Sequence, residues 1–269
     1  MVIGDNNCIV LGTLNHKRQG KGQPLLVLHG LFGMLDNWQS VAKVLSEKME
    51  VITVDLRNHG RSFHHSDTSY RAMAADVVRL ADELGLERFG VLGHSMGGKV
   101  AMELALTHES RISHLIVADI LPVAYERGHD KVLQALDRMD FSKISSRKEA
   151  EHHMTELLEG DRSTALFLLK SLKRLPDKKG FDWRFNLPAL TVGYDEIRKP
   201  MQDGVFEPPS LFIKGDDSEY IQMDGWIETL DWFPQAQLEV VEDAGHWVHA
   251  DQPDELVRKV LEFVDRPHY

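Results

Sequence analysis

The sequence predicts an α/β fold built on a mostly parallel sheet, and three observations carry that prediction. Short apolar runs of strand length alternate with longer amphipathic segments, the order expected when crossover helices join parallel strands. Most of these runs are continuously apolar, as happens where both faces of a sheet are covered. The rhythm breaks once, from about Pro122 to Glu207, where no convincing core strand occurs and helical stretches follow one another.

Taken in order, "NCIVLGTLNHKRQGKGQPLLVL" reads as one or two short strands with a polar turn before "PLLVLHG" (24–30), and Cys8 is a small residue of the first. "VITVDL" (51–56) is the next buried strand. "YRAMAADVVRLADELGL" then places Met73, Val77, Val78, Leu80, Ala81 and Leu84 near one helical stripe. Strands follow at "RFGVLGHS" (88–95) and "SHLIVADI" (113–120), separated by the helix "GGKVAMELAL". The inserted region carries "DKVLQALDRM", "RKEAEHHMTELL" and "TALFLLKSLKRL". "PSLFIKG" (209–215) and "AQLEVVE" (236–242) resume the strands. "PDELVRKVLEFV" closes the chain as a helix, with Pro253 in its first turn and Leu256, Val257, Val260, Leu261 and Val264 along one side. Residues 1–121 and 207–269 are thus expected to form the core, with 122–206 as a helical insertion.

The 269 residues are 42% hydrophobic and 27% charged, and the formal net charge of -11 disfavours a polyanionic partner such as nucleic acid. The densest basic stretches, "SLKRLPDKK" and "SSRKEAEHH", are interleaved with acids or proline and suit solvated helix faces. One cysteine allows no intrachain disulfide and fits a reducing compartment. No apolar run approaches the roughly 18 residues that span a bilayer, and "MVIGDNN" does not resemble a signal peptide, so a cytoplasmic protein without a membrane partner is expected. "HH" at 64–65 and "EHH" at 151–153 read as solvated, so no metal site is expected. Neither a G-x-G-x-x-G opening a crossover helix nor a P-loop occurs, so no cofactor is implied. Nothing marks a self-complementary surface, which leaves the oligomeric state open.

Chemistry concentrates at "FGVLGHSMGGKV" (89–100), where Gly93-His94-Ser95-Met96-Gly97 fits G-x-S-x-G between a strand and a helix. A nucleophile there projects from a strained turn, and residues two away must be nearly side-chainless because strand and helix cross closely. Gly93 and Gly97 meet that demand, and Gly98 extends it; the plainer alternative is a glycine-softened turn with an incidental serine. A serine hydroxyl needs a base, an orienting acid and donors for the oxyanion. "HGLFG" (29–33) follows a strand, so the Leu31 and Met96 N–H groups are the candidate oxyanion hole, each such donor being worth about 2.7–4 kcal/mol of barrier. "VVEDAGHWVHADQPDEL" supplies the base: His246, on a strand–loop–helix connection, is favoured over the other histidines. His249 reads as a helix-entry residue, His94 is expected to point away from Ser95, and His64 and His65 sit on a polar loop.

Together the G-H-S-M-G-G elbow, the H-G-L-F-G loop, "DLRNHGRS" (55–62) and "AGHWVHADQP" resemble the α/β-hydrolase superfamily over nearly the whole chain. More narrowly, "VADILPV" (117–123), "WRFNLPAL" (183–190) and "GDDSEY" (215–220) are similar to bacterial YbfF-type carboxylesterases and their mitochondrial relatives. The resemblance implies the α/β-hydrolase fold with eight mostly parallel strands, a helical cap, and ester or thioester hydrolysis without a cofactor. Many members place the acid in a G-x-x-D loop, but this chain reads Gly215-Asp216-Asp217-Ser218. Asp217 is one residue early, whereas Asp119, ending "LIVAD", can approach the same imidazole from the neighbouring strand, where an unpaired carboxylate would be costly to bury. In the resembled subfamily that aspartate is the proposed acid and the serine a fourth member, which carries those roles to Asp119 and Ser218. A helix cap for Asp119 and a plain loop serine for Ser218 remain open.

The expected chemistry is hydrolysis of short- to medium-chain acyl esters, or of acyl-CoA thioesters, through an acyl-enzyme on Ser95. Phe181, Trp183 and Phe185 alternate in "FDWRFNLP" and either wall an acyl pocket or pack the lid. His29, Phe32, Trp183, Phe185 and Trp247 are the candidate substrate-contacting residues, and an anionic CoA would need a basic rim from Arg184, Arg198 or Lys199. Carbon–carbon bond hydrolysis, perhydrolysis, lyase chemistry and a non-catalytic ligand-binding module are the alternatives.

Overall fold

A computed structural model describes residues 12–176 and 180–266. Cys8 and the start of the first expected strand lie outside the described residues. The core begins with β1 (His16–Gln19), β2 (Pro24–Leu28), α1 (Gln39–Leu45), β3 (Glu50–Val54), α2 (Tyr70–Glu83), β4 (Phe89–His94), α3 (Met96–Thr107) and β5 (Ile112–Ala118). An insertion follows with α4 (Asp130–Asp137), α5 (Arg147–Leu157), α6 (Arg162–Lys170), β6 (Leu172–Arg174), β7 (Phe181–Trp183), α7 (Leu187–Val192) and α8 (Tyr194–Ile197). The chain then returns through β8 (Ser210–Gly215), α9 (Met223–Trp232), β9 (Ala236–Val241), α10 (Val248–Asp251) and α11 (Pro253–Val264).

The sheet runs β1-β3-β2-β4-β5-β8-β9, with β1 antiparallel to β3 and every other neighbouring pair parallel. Among the described residues it has seven strands, where the family resemblance implies eight. Every residue of β4 is buried, which explains its unbroken apolar run. One face is covered by α2 and α3, through side chains such as Val77, Leu80, Val100 and Leu104. The other is covered by α1 and α11, through Val41, Leu45, Leu256, Val260 and Phe263. α2 starts where Ser69 Oγ accepts the Ala72 N–H, and its buried stripe of Met73, Val77, Leu80 and Ala81 matches the sequence periodicity. Burying each large apolar side chain of that stripe contributes about 1.5–3 kcal/mol.

The insertion contains one feature that periodicity did not reveal: β6 and β7 form a small antiparallel hairpin, pairing Leu172 with Trp183 and Arg174 with Phe181. Strands of three residues are too short to show alternation above noise. The hairpin explains the spacing in "FDWRF", since Phe181 and Trp183 share one strand face while Asp182 is exposed. The two ends of the insertion are joined to each other and to the core. Met201 N–H donates to Pro122 O at 2.7 Å and Tyr125 N–H to Arg198 O at 3.0 Å. Lys99 Nζ, from α3, donates to both Val123 O (2.8 Å) and Lys199 O (2.5 Å).

Parallel pairing brings the C-terminal ends of the strands to one edge. Leu28 lies opposite Gly93, His94 opposite Ala118, and Ala118 opposite Ile213. The loops after β2, β4, β5, β8 and β9 therefore gather Leu31, Ser95, Asp119, Ser218 and His246 at that edge. No helix among the described residues is long and apolar enough to cross a membrane.

Candidate active site

Ser95 connects β4 to α3 at φ 52° and ψ -120°, a conformation that a side chain bearing Cβ adopts only when its surroundings enforce it. The surroundings are backbone. A Cβ on Gly93 would stand 2.1 Å from Gly97 O, and one on Gly97 would stand 2.6 Å from both Leu28 O and His29 O. Ser95 N–H donates to Ala118 O at 3.0 Å, and Ser95 O accepts the Lys99 N–H at 3.1 Å. The glycines are thus explained by the crossing of strand and helix.

Asp119 sits at the end of the next strand, also at positive φ (53°) and fully buried. Its Oδ1 accepts the Gly215 N–H at 3.1 Å, while Oδ2 accepts both the Ser218 hydroxyl and His246 Nδ1–H, the latter at 2.8 Å. A carboxylate with three donors suits an ionised acceptor. Asp217, the rival acid, is exposed, and its backbone N–H donates to Ala244 O at 3.0 Å. Ser218 reaches the carboxylate and belongs to the cluster.

The His246 ring is held on several sides. Tyr220 stacks on it with centroids 3.9 Å apart and planes 18° from parallel. The neighbour of Ser95, His94, donates Nε2–H to His246 O at 2.7 Å and tilts its ring against His246 at 4.7 Å. His94 is kept neutral by burial, which pushes its pKa well below the ordinary imidazole value, so its donating Nε2 leaves Nδ1 as the unprotonated nitrogen. Ser95 and His246 line one cavity, and no hydrogen bond joins Ser95 Oγ to the ring among the described residues. Catalytic hydrogen bonds of this kind commonly tighten only when substrate is bound.

Leu31 and Met96 border the cavity at Ser95. Among the described residues neither backbone N–H has an acceptor, whereas the adjacent Phe32 N–H donates to His59 Nε2 at 3.2 Å. Met96 also opens α3, whose N-terminus favours negative charge. The loop carrying Leu31 is braced from below. Asp55 accepts the Leu35 and Arg61 N–H groups at 2.7 and 2.9 Å, and Arg57 forms a buried bidentate pair with Asp76 at 2.5 and 2.9 Å.

Three expected substrate contacts are not in the cavities. His29 is buried, donates Nδ1–H to Gly30 O at 2.8 Å and accepts the Leu56 N–H at 3.0 Å. Both nitrogens serve the loop, and burial lowers its pKa to about 4. Trp183 and Phe185 stack on each other at 5.0 Å, and Phe185 packs on Phe32 at 5.1 Å, so they fasten the insertion to the core. Phe32 and Trp247 do line a cavity. His249 stacks on Trp38 at 4.5 Å, and burial lowers its pKa to about 3, a packing role.

Two cavities meet at Ser95. One, of about 270 Å³, is walled by Tyr70, Lys99, Ile120, Tyr125, Tyr194 and Ile197. The other, of about 220 Å³, is walled by Phe32, Val132, Phe167, Leu168, His246 and Trp247. Leu31, Ser95, His129 and Tyr220 border both. Sequence reasoning gave no site role to Tyr70, Lys99, His129, Tyr194 or Phe167, although Tyr70, Lys99 and Phe167 lie in stretches quoted as helices and Tyr220 in the GDDSEY motif. Desolvation lowers Lys99 to about 7 and His129 to about 4. No cluster of three or more His, Cys, Asp or Glu among the described residues is placed to hold a metal ion.

Comparison with known proteins identifies the family of the chain. The alpha/beta hydrolase fold family matches residues 23–253. The chain is 36% identical over 250 residues to Esterase YbfF of Escherichia coli, covering 93% of this chain and 96% of that protein. It is 37% identical over 244 residues to a putative esterase/lipase of Haemophilus influenzae, covering 90% and 83%. With the mouse sn-1-specific diacylglycerol lipase ABHD11 it shares 37% identity over 251 residues, covering 89% and 80%. A solved structure described as a marine microorganism esterase superposes with a TM-score of 0.90 at 36% identity, covering 94% of this chain and 99% of that one.

Proposed function

Because this chain belongs to the α/β-hydrolase fold family, we propose that it is a serine carboxylesterase whose nucleophile is Ser95. It is a hydrolase of the esterase type. In the proposed cycle His246 takes the Ser95 proton as the hydroxyl attacks the acyl carbonyl, and Asp119 holds the imidazole with its proton on Nδ1. The Leu31 and Met96 N–H groups receive the oxyanion. His246 then protonates the departing alcohol, and water repeats the sequence on the acyl-enzyme. The observation that carries this reading is the Asp119–His246 hydrogen bond of 2.8 Å beside a serine held at φ 52°. The hydroxyl of Ser218 orients the same carboxylate.

Short- to medium-chain oxyesters suit the site better than CoA thioesters, because the cations that a polyanionic thiol would need are paired with carboxylates or placed in another cavity, and Arg198, which borders the 270 Å³ cavity, is among the paired ones. Arg198 donates to Tyr125 O at 2.7 Å and pairs with Asp195 at 2.9 Å, and Lys199 pairs with Glu196 at 2.5 Å. Arg184 lines a separate polar cavity with Asn15, Asp55 and Arg61.

The test is a p-nitrophenyl ester series of increasing acyl length, run on the native protein and on Ser95→Ala. The native protein is expected to show burst kinetics and a covalent fluorophosphonate adduct, both absent from Ser95→Ala. An adduct or burst that survives the substitution removes Ser95 from the mechanism, and absence of turnover on every ester removes the esterase assignment.

A further inference from the structure

The two cavities at Ser95 are chemically unequal, and the inequality orients the substrate. In acyl transfer at a serine, the imidazole that takes the hydroxyl proton must deliver it to the leaving oxygen. That oxygen therefore lies on the imidazole's side of the tetrahedral carbon. The oxyanion points at its N–H donors, and the acyl chain takes the remaining direction. His246 lines only the smaller of the two cavities, which leaves the larger for the acyl chain; of the two proposed oxyanion donors Met96 lines the larger and Leu31 borders both.

We propose that the His246 cavity receives the leaving alcohol and that the cavity ending at Lys99 and the tyrosines receives the acyl chain, so the enzyme selects compact esters of apolar alcohols. This rests on the Ser95–His246 reading above. The chemistry of the walls sets the alcohol class. Phe167 and Trp247 lie with ring centroids 5.1 Å apart, beside Phe32, Val132 and Leu168, and no lysine or arginine lines this side. Such walls stabilise a ring-bearing or branched hydrocarbon alcohol by burial and offer no charge to a phosphate-bearing one.

The acyl side differs. Its walls are mainly apolar and aromatic, with Glu126, Arg198 and Glu219 also on the border, and Lys99 Nζ lies 5.1 Å from the Tyr125 ring centroid and 5.8 Å from that of Tyr70. The same nitrogen anchors both ends of the insertion through Val123 O and Lys199 O. The wall of the acyl cavity at Lys99 is thereby fixed to the helix that begins beside Ser95. The cavity, of about 270 Å³, opens to solvent, so a longer acyl chain either leaves through its mouth or presses on the anchored wall. Acyl-length selection accordingly follows this cavity, and alcohol selection follows the Phe167–Trp247 side.

The experiment is a grid of esters: one butyryl group on alcohols from ethyl to naphthyl, and one p-nitrophenyl leaving group on acyl chains of increasing length. Native protein, Phe167→Ala and Ile197→Ala are compared by ratios of kcat/KM. Phe167→Ala is expected to compress the preference among alcohols on the order of tenfold, with the acyl-length ratios retained. Ile197→Ala, which enlarges only the acyl side, is expected to shift the length optimum upward and retain the alcohol ratios. Phe167→Leu provides a milder version should the alanine variant fold poorly, and fluorophosphonate labelling of Ser95 reports an intact site. If Phe167→Ala or Phe167→Leu alters acyl-length ratios and leaves alcohol ratios alone, the assignment is reversed and the proposal fails. If each variant moves both ratios, the cavities are not separate subsites and it also fails. Turnover persisting in Ser95→Ala would instead overturn the nucleophile, a distinguishable result.

Discussion

Replacing Asp119 with asparagine tests the acid assignment through a change of proton position with almost no change of shape. In the native site Oδ1 faces the Gly215 N–H at 3.1 Å, so the amide oxygen of asparagine is expected to occupy that position. Its NH2 group then faces Ser218 and His246 Nδ1, where a carboxylate oxygen had accepted two protons. The Ser218 hydroxyl can rotate and accept. His246 cannot adapt without cost, because an Nδ1 facing a donor must give up its proton and carry it on Nε2, the nitrogen that has to take the proton of Ser95. Wrong-tautomer substitutions of this type lower kcat roughly 10,000-fold, equivalent to about 5.5 kcal/mol of barrier. Asp217→Asn, at an exposed loop position, is expected to stay within about threefold of the native enzyme. Stopped-flow measurement of the p-nitrophenol burst reads acylation directly, and circular dichroism confirms the fold of both variants. If Asp119→Asn acylates within tenfold of the native rate, or Asp217→Asn proves the slower enzyme, the imidazole is not oriented from β5 and the assignment falls.

Two further outcomes follow from the same geometry. Gly97→Ala, which drives a Cβ to 2.6 Å from the Leu28 and His29 carbonyl oxygens, is expected to destabilise by at least about 3 kcal/mol; a Tm within 3 °C of the native value would contradict the close crossing. Burial holds His29 and His129 near 4, His59 and His249 near 3, and His94 well below its ordinary value of 6.5. Below pH 6.5 the unfolded chain therefore binds protons that the folded protein refuses. Stability is full above that pH and falls toward pH 4, by up to about 2 kcal/mol per such histidine at pH 5. Urea midpoints that stay constant between pH 6.5 and 5 would refute it.

The core was legible because its signals are local and repeated. β2, β3, β4, β5, β8 and β9 each appear as an apolar run, and α2 and α11 each show a stripe of the right period. The elbow was legible because a strained residue between crossing backbones demands glycine at fixed offsets, so Gly93 and Gly97 announce Ser95. The acid required more. Asp119 and Asp217 are both carboxylates near a strand end, and only the sheet order, with β5 between β4 and β8, shows which one reaches the imidazole. Family resemblance carried that choice in the sequence. The cavity walls were the least legible part. Alternation in "FDWRF" correctly puts Phe181 and Trp183 on one face, but only the packing of the insertion decides whether that face meets substrate or core. His29 shows a similar limit: a histidine beside a glycine-rich loop looks available for chemistry, and only the structure shows its two nitrogens engaged by Gly30 O and the Leu56 N–H.

The site's geometry comes from the sheet more than from its loops. Ser95 and Asp119 each follow the last residue of adjacent parallel strands, at the matched positions His94 and Ala118. Each continues the hydrogen-bonded ladder for one more residue, Ser95 N–H to Ala118 O and Asp119 N–H to Ile213 O, and then turns through positive φ. Two non-glycine residues in that region cost of order 1–3 kcal/mol apiece, and the strain persists only because the flanking ladder imposes it. The separation of hydroxyl-bearing and carboxylate-bearing backbones is consequently set by the interstrand spacing of about 4.8 Å. A carboxylate at the end of β5 leaves the loop after β8 within reach of it. A second carboxylate there would set two negative charges in contact, whereas the Ser218 hydroxyl supplies a donor. The serine at 218 and the aspartate at 119 therefore form one solution: the strand next to the one that ends at Ser95 carries the charge, and the strand beyond it carries the hydrogen bond that keeps the charge in place.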